Sequence, residues 1–177
     1  MRRLFVDHEA GSGHDAVAGD AAAAHILAQN AAWQGREVYA FTKPGDSAAQ
    51  DFACATGAIW AGGSDAAPVV SLDAAIIIAP VGVYVPKALK AVGKGGRVIC
   101  AGIHMSDIPS FPHPDLWHER QIISVANLTR LDGEAFFPLA ERAGVKTQTT
   151  RYALKNANQA LDDLRNDHLS GAAMLVP

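Results

Sequence analysis

Residues 9–29 contain the stretch in which binding chemistry is easiest to recognise. The sequence EAGSGHDAVAGDAAAAHILAQ places three glycines ahead of an alanine-rich run with a helical pattern. A glycine-rich turn that leads into a helix can hold a diphosphate, because backbone N–H groups and the helix N-terminus face the anion. In one register, Gly11 to Ala16 fit G-x-G-x-x-A, with a strand at residues 3–6 and a helix that starts near Ala16. This register predicts a dinucleotide-binding turn.

The sequence gives little indication of a metal site or of a catalytic nucleophile. The seven histidines contain no HxxxH pair, and Cys54 and Cys100 stand alone without the spacing of metal ligands. Both cysteines are therefore expected to be small core residues in a reducing compartment. Tyr39 and Lys43 match the pattern Y-x-x-x-K, in which the tyrosine and the lysine must lie on the same face of one helix. Here the two residues fall on a predicted strand that runs into a turn, so they are not expected to form a catalytic pair. His104 is expected in a loop, where surface hydrogen bonding is favoured over proton transfer.

Composition limits the class of protein and its partners. The chain has 177 residues, of which 49% are hydrophobic and 19% charged, with a formal net charge of −3. These values indicate a globular chain of one domain size with a substantial core. There is no basic block and no apolar run near the roughly 20 residues that cross a bilayer. Neither nucleic acid nor a membrane is an expected partner, and a cytoplasmic location is the default expectation.

Strand-like and helix-like segments alternate along the first hundred residues. The strand candidates have nearly continuous apolar runs, which is typical of parallel strands covered on both faces. The helix candidates carry Asp46 as an N-cap and Gly57 as a C-terminal glycine. This alternation predicts an α/β fold with a doubly wound parallel sheet. The predicted strands are 36–41, 58–63, 72–80 and 95–103, and the predicted helices are 20–35, 46–57 and 85–96.

Beyond Ile103 the pattern changes. Three prolines interrupt HMSDIPSFPHPDLWHER, so no long helix is expected there. A strand is predicted at 121–129, and a helix follows in which Pro138 should produce a kink or a split. The end of the chain reads as a strand end and an amphipathic helix in YALKNANQALDDLRND, followed by a terminal strand in GAAMLVP.

Several of these stretches together resemble a known family. HILAQNAAWQGREVYAFTKPGD, KGGRVICAGIHMSDIPSF, ISVANLTRLDGEAF and NANQALDDLRNDHLSGAAMLVP are similar to the C-terminal half of zinc-dependent alcohol dehydrogenases, in the medium-chain dehydrogenase/reductase family. The resemblance covers roughly residues 16–177. It implies a Rossmann-type, NAD(P)-binding domain at 16–150. It also implies an atypical segment at 1–15 and a C-terminal helix and strand at 151–177.

The resemblance gives the glycine-rich stretch a second register, which is favoured. AVAGDAAAAHI then lies where the family has its glycine-rich turn, and Gly19 and Ala21 fall at cofactor-binding positions. Only Gly19 keeps a glycine, although glycines let the backbone approach the diphosphate closely. Asp20 adds a negative charge beside the helix N-terminus, where a diphosphate would bind, although it could equally serve as a helix cap.

Further cofactor contacts are implied after the second, fourth and fifth strands. Thr42 and Lys43 stand where NAD-preferring relatives carry an acid, so NADP is slightly favoured over NAD. Ala79, Pro80 and Val81 would lie near the adenosine ribose. Ala101, Gly102 and Ile103 would lie near the nicotinamide carboxamide. For Gly82 and Gly102, ordinary turn chemistry is the alternative interpretation.

The resemblance also implies what this sequence does not contain. Family members are about twice as long, and their N-terminal domain carries the catalytic zinc ligands. No catalytic residue is assigned here, and no zinc site is expected from this chain alone. The functional interpretation is the cofactor-binding part of an alcohol/aldehyde oxidoreductase, inactive by itself, with the strand at 121–129 as a homodimer edge. The alternative is a non-catalytic remnant or binding module. Residues 1–15 are expected to replace the family's usual first strand, as in a truncated or fragment-derived chain.

Overall fold

A computed structural model of the chain describes residues 3–7, 20–68, 70–166, 168–169 and 171–177. Six parallel strands form its main sheet, in the order β3-β2-β1-β4-β5-β6. The order reverses at β1, as it does in dinucleotide-binding sheets. The predicted α/β, doubly wound fold of the Rossmann type is therefore confirmed. The strands are β1 (Arg3–Asp7), β2 (Glu37–Thr42), β3 (Trp60–Gly63), β4 (Leu72–Ile77), β5 (Val92–Cys100) and β6 (Gln121–Ser124).

The first strand corrects one expectation from the resemblance. Residues Arg3–Asp7 pair with β2 on one side and with β4 on the other, so they occupy the centre of the sheet. The N-terminal segment therefore supplies the first strand of the sheet itself. The strand predicted at 3–6 is confirmed. Residues 8–19 lie outside the described residues, so both registers of the glycine-rich stretch and the boundary at residue 15 stay predictions.

The helices of the first hundred residues begin and end close to the predicted positions. Asp46 Oδ1 accepts a hydrogen bond from Ala49 N at 2.9 Å, which caps the second helix, and Gly57 follows its end with φ +114°. The third helix is shorter than predicted, because Val92 already pairs with Leu72 and begins β5. These helices are α1 (Asp20–Trp33), α2 (Ser47–Ala55) and α3 (Tyr84–Ala91).

The two faces of the sheet carry two separate cores. Val38 and Ala40 of β2 pack on the face covered by α1 and α2, in a cluster built largely of alanines. Tyr39 and Phe41 point to the opposite face and join the cluster around Leu89 of α3. Successive side chains of a strand point to opposite faces, so a continuous apolar run fills both cores.

The last third of the chain adds elements that cover little of the sheet. The prediction at Pro138 was a kink or a split, and because this residue lies inside one continuous helix, α5, the split is wrong while the kink stays a prediction. Proline removes one backbone hydrogen bond, and water can reach the carbonyl of exposed Glu134 that would have accepted it. β6 ends at Ser124, five residues before the predicted end. The additional elements are α4 (His113–Leu116), α5 (Arg130–Arg142), β7 (Thr149–Ala153), α6 (Ala157–Arg165) and β8 (Ala172–Val176).

The C-terminal helix and strand are confirmed, and they form a small unit of their own. β7 and β8 make a separate two-stranded parallel sheet, with α6 in the connection between them. Tyr152 Oη donates a hydrogen bond of 2.8 Å to Asp163 Oδ2, which ties β7 to α6. The division of the chain at residue 150 stays a prediction. Among the described residues, no helix has the length and apolar character needed to cross a membrane.

Candidate functional site

The candidate site lies at the carboxyl ends of the parallel strands. The strand order reverses at β1, and in doubly wound sheets ligands bind outside the carboxyl ends of the strands at such a reversal. Thr42 ends β2, residues 79–81 follow β4, and residues 101–103 follow β5. The structure therefore brings the predicted contact residues of three separate loops to one edge of the sheet.

The loops after β4 and β5 approach each other unusually closely. A Cβ on Gly82 would collide with the backbone carbonyl oxygens of Ser106 and Asp107. A Cβ on Gly102 would lie 3.1 Å from Ile78 O and 3.4 Å from Ala79 O. Neither glycine has a positive φ. Gly82 therefore has no room for a Cβ because the two loops approach closely, whereas at Gly102 a Cβ would require small shifts of its neighbours. Neither position needs glycine for a left-handed backbone.

Hydrogen bonds join the same two loops. Gly82 N donates to Ser106 Oγ at 2.9 Å, and Ser106 N donates to Pro80 O at 3.1 Å. Nearer the sheet, Ala101 N donates to Ile77 O at 2.8 Å. Ser106 was not among the residues predicted from the sequence. Its signal was a small hydroxyl residue shortly after the strand-ending AGI, which many surface loops would share.

The predicted residues of these loops differ in accessibility. Ala79 is fully buried, so its side chain has no surface to offer a ligand. Pro80, Val81, Ala101 and Gly102 are half-buried and border the edge. Ile103 is 78% exposed. Their roles as cofactor contacts stay predictions.

Thr42 is more deeply placed than a ligand contact would suggest. It is fully buried, and its Oγ1 accepts a hydrogen bond from Gln50 Nε2 at 3.1 Å. The same hydroxyl lies 3.3 Å from Lys43 O, to which it can donate. Because Thr42 is fully buried, contact between its hydroxyl and a ribose or phosphate would require the surrounding residues to move. Lys43 is exposed.

An apolar recess adjoins this end of β2. It is a small recess of about 30 Å³ that lies between the loop after β3 and helix α3. Phe41, Pro68 and Ala88 are among its lining residues, and Lys87 stands beside them. Lys87 Nζ is 3.4 Å from Ser64 O and 5.2 Å from the centre of the Tyr84 ring. The recess thus combines apolar walls with one cation.

The turn between β1 and α1 is described only from its helical end. Gly19 lies outside the described residues, and Ala21 belongs to the first turn of α1, which begins at Asp20. An acidic residue does stand at the N-terminus of this helix. The predicted effect of its charge on diphosphate binding stays a prediction.

Buried titratable groups near the sheet are held neutral. Desolvation lowers the pKa of His25 to about 4, and its ring contacts Phe52 edge-on, with 4.0 Å between centroids. His25 thus packs between α1 and α2. Burial raises the pKa of the Cys100 thiol, which is a core residue as predicted. Cys54 is exposed, so the prediction of a core position is wrong for it.

A catalytic zinc needs three protein ligands and an open position. Within residues 20–68 and 70–166, together with the shorter described segments, no group of three or more His, Cys, Asp or Glu side chains could hold a metal ion. These residues therefore do not fit a catalytic zinc.

Comparison with known proteins identifies one curated relative of significant similarity. The chain is 42% identical over 154 residues to a protein described as probable alcohol dehydrogenase AdhA of Mycobacterium tuberculosis (strain CDC 1551 / Oshkosh). The match covers 86% of this chain and 44% of the relative, so the chain spans less than half the relative's length. No model of a protein family matches the sequence.

Solved structures share the fold. A thermostable alcohol dehydrogenase from Pyrobaculum aerophilum has a TM-score of 0.78 and 20% identity, covering 99% of this chain and 50% of that protein. Acetophenone reductase from Geotrichum candidum NBRC 4597, solved in complex with NAD, has a TM-score of 0.75 and 21% identity, covering 100% of this chain and 49% of that protein. At this level of identity the likeness establishes the fold alone.

Proposed function

Since the chain belongs to the zinc-dependent alcohol dehydrogenases of the medium-chain dehydrogenase/reductase family and spans under half the length of its curated relative, we propose that it binds a nicotinamide dinucleotide. The site is the carboxyl edge of the sheet, at the reversal of strand order. One observation carries the proposal: the loops after β4 and β5 are joined at this edge by two hydrogen bonds between Pro80, Gly82 and Ser106. A preformed edge of this kind lowers the entropy lost when a ligand binds.

The described residues would bind and orient the cofactor without reacting with it. Backbone groups at 79–82 would face the adenosine ribose, and those at 101–103 the carboxamide of the nicotinamide. The nicotinamide, when bound, would supply hydride transfer to or from an alcohol or aldehyde. Oxidoreductase activity itself would need catalytic groups that the described residues do not provide.

The preference for NADP over NAD remains part of the proposal. Thr42 and Lys43 stand at the end of β2 in place of an acid that would repel a 2′-phosphate, and exposed Lys43 offers a positive charge. The internal hydrogen bonds of Thr42 argue that Lys43 would make this distinction by itself. Replacing Lys43→Ala should weaken NADPH binding while leaving NADH binding nearly unchanged. The exposed Lys94→Ala, at the opposite end of β5, is a matched control.

The alternative proposal is a binding module or remnant without affinity for a nicotinamide cofactor. Asp20 at the start of α1 favours it, since a negative charge opposes a diphosphate at a helix N-terminus. Titration of the 177-residue chain with NADPH and NADH, followed by protein fluorescence and thermal shift, separates the two. Saturable binding with a rise in Tm supports the cofactor site. No binding and no shift at millimolar ligand supports the remnant.

Association through a sheet edge is also proposed. β6 is an edge strand, and an edge presents unpaired backbone groups that another strand can pair with. A homodimer with β6 at its centre would continue the main sheet across the interface. Sedimentation of wild type and of Ile122→Pro, which removes a backbone donor within β6, tests this arrangement. Loss of the dimer in the variant supports it. The cytoplasmic location likewise remains a proposal.

A further inference from the structure

We propose that Ser106 is a positioning residue for the dinucleotide, because it holds the loop after β4 and the loop after β5 in one fixed relation. The inference rests on the proposed function and extends it. A dinucleotide that lies along the carboxyl edge touches both loops, so its affinity depends on their spacing as well as on each loop alone.

The geometry around Ser106 is reciprocal. Its hydroxyl oxygen accepts from Gly82 N at 2.9 Å, while its own N–H donates to Pro80 O at 3.1 Å. One residue of the second loop therefore bonds both before and after Val81, which is a predicted ribose neighbour. These two hydrogen bonds, one on each side of Val81, fix the orientation of the peptide groups that flank it.

Close packing makes the contact sensitive to small changes. Gly82 lies so near the carbonyl oxygens of Ser106 and Asp107 that it has no room for a Cβ. Met105, the preceding residue, packs against the core cluster on the α3 face, and its Cγ lies 3.1 Å from the position of a Cβ on Gly102. The segment that carries Ser106 is thus anchored to the sheet as well as to the first loop.

Ser106 itself is exposed, although its hydroxyl is engaged. The side chain therefore contributes little to the core, and its removal should leave the fold intact. Because this side chain is exposed, Ser106→Thr, which keeps the hydroxyl, should keep the hydrogen bond. Ser106 variants can therefore change the relative position of the two loops without unfolding the protein.

The experiment compares NADH with ADP-ribose, which lacks the nicotinamide and reaches only the first loop. Ser106→Ala should raise the Kd for NADH by about threefold to tenfold, the range of one net hydrogen bond. It should raise the Kd for ADP-ribose by less, leave Tm nearly unchanged, and be rescued by Ser106→Thr. Ser110→Ala, an exposed serine of the same segment, is the matched control and should behave as wild type.

A second pair of variants covers the possibility that Ser106→Ala perturbs folding. Gly82→Ala should separate the loops and reduce NADH affinity more strongly, while Gly133→Ala, where the nearest atoms lie 3.9 Å from the added Cβ, should not. Equal NADH affinity in wild type and Ser106→Ala overturns the inference and leaves the proposed function standing. An equal loss for NADH and ADP-ribose, without rescue by threonine, also overturns it. Absence of NADH and NADPH binding in wild type removes the proposed function and this inference together.

Discussion

Residues 20–100 and residues 101–177 differ sharply in how they bury their apolar side chains. Apart from Ala160, every buried hydrophobic residue in the described parts of the chain precedes residue 101. The second region carries regular helices and strands, yet Leu131 and Phe137 of α5 are 73% and 74% exposed. Regular secondary structure is therefore no measure of a core. The first region holds nearly all of the buried core, whereas the second presents apolar surface that a further contact would cover.

The largest expected effect comes from a core residue of the first region. Ile77 is fully buried in the cluster beneath α3, so Ile77→Ala should lower the free energy of unfolding by about 2 to 5 kcal/mol. Leu131→Ala, in exposed α5, should change it by less than about 0.5 kcal/mol. Urea denaturation followed by circular dichroism measures both. Similar losses in the two variants would show that the regions share one core and would break the comparison.

Lowering the pH should also reduce the free energy of unfolding through a residue of the first region. The pKa of buried His25 is lowered to about 4, so between pH 6.5 and 4 the unfolded chain binds a proton that the folded chain does not. The contribution of His25 to stability is complete above the unfolded pKa and falls as pH decreases through this window, by about 2 to 3 kcal/mol at most.

A variant without the titrating ring isolates this effect. The loss of unfolding free energy from pH 7 to pH 4.5 should be smaller in His25→Gln than in wild type. The exposed His113→Gln should keep the wild-type dependence. Chemical denaturation at the two pH values gives the comparison, and an unchanged slope in His25→Gln would contradict the burial argument.

For the second region the expected change is in association. The double variant Leu131→Ser and Phe137→Ser removes two large exposed apolar side chains from α5. Because neither is buried, unfolding should be little affected, while self-association should decrease. Sedimentation velocity over a range of concentrations measures it. A wild-type chain that stays monomeric throughout would show that this surface does not drive assembly.

The smallest expected effect lies within the C-terminal unit. Hydrogen bonds from Tyr152 and Gln159 lower the pKa of Asp163, so its stabilising contribution is present above the unfolded pKa and is lost as pH falls through the folded value. In Tyr152→Phe the pKa of Asp163 should move back towards its ordinary value, as observed by NMR titration. Global unfolding should not change. Gln159→Ala is the matched variant and should move the pKa of Asp163 less, because the hydrogen bond from Gln159 lowers this pKa less than the one from Tyr152 does.

Much of the fold could be predicted because it follows from local patterns. The continuous apolar runs of β2 and β4, the cap at Asp46 and the glycine after α2 are all short-range signals. A core position for Cys54 and a split of α5 at Pro138 were predicted incorrectly. Both depend on whether anything packs against the residue, and that is decided by segments distant in sequence.

The sequence by itself determined the alternation of elements, the two-faced strands and the resemblance to the cofactor half of alcohol dehydrogenases. It also brought Thr42, residues 79–81 and residues 101–103 into consideration as ligand contacts. Only the tertiary structure decided that the hydroxyl of Thr42 is used by Gln50, that Arg3–Asp7 forms the central strand, and that Ser106 joins two loops. The physical reason is the distance along the chain over which each kind of signal acts. Periodicity and capping act over a few neighbouring residues, whereas burial and loop contacts depend on residues brought together by the whole sheet.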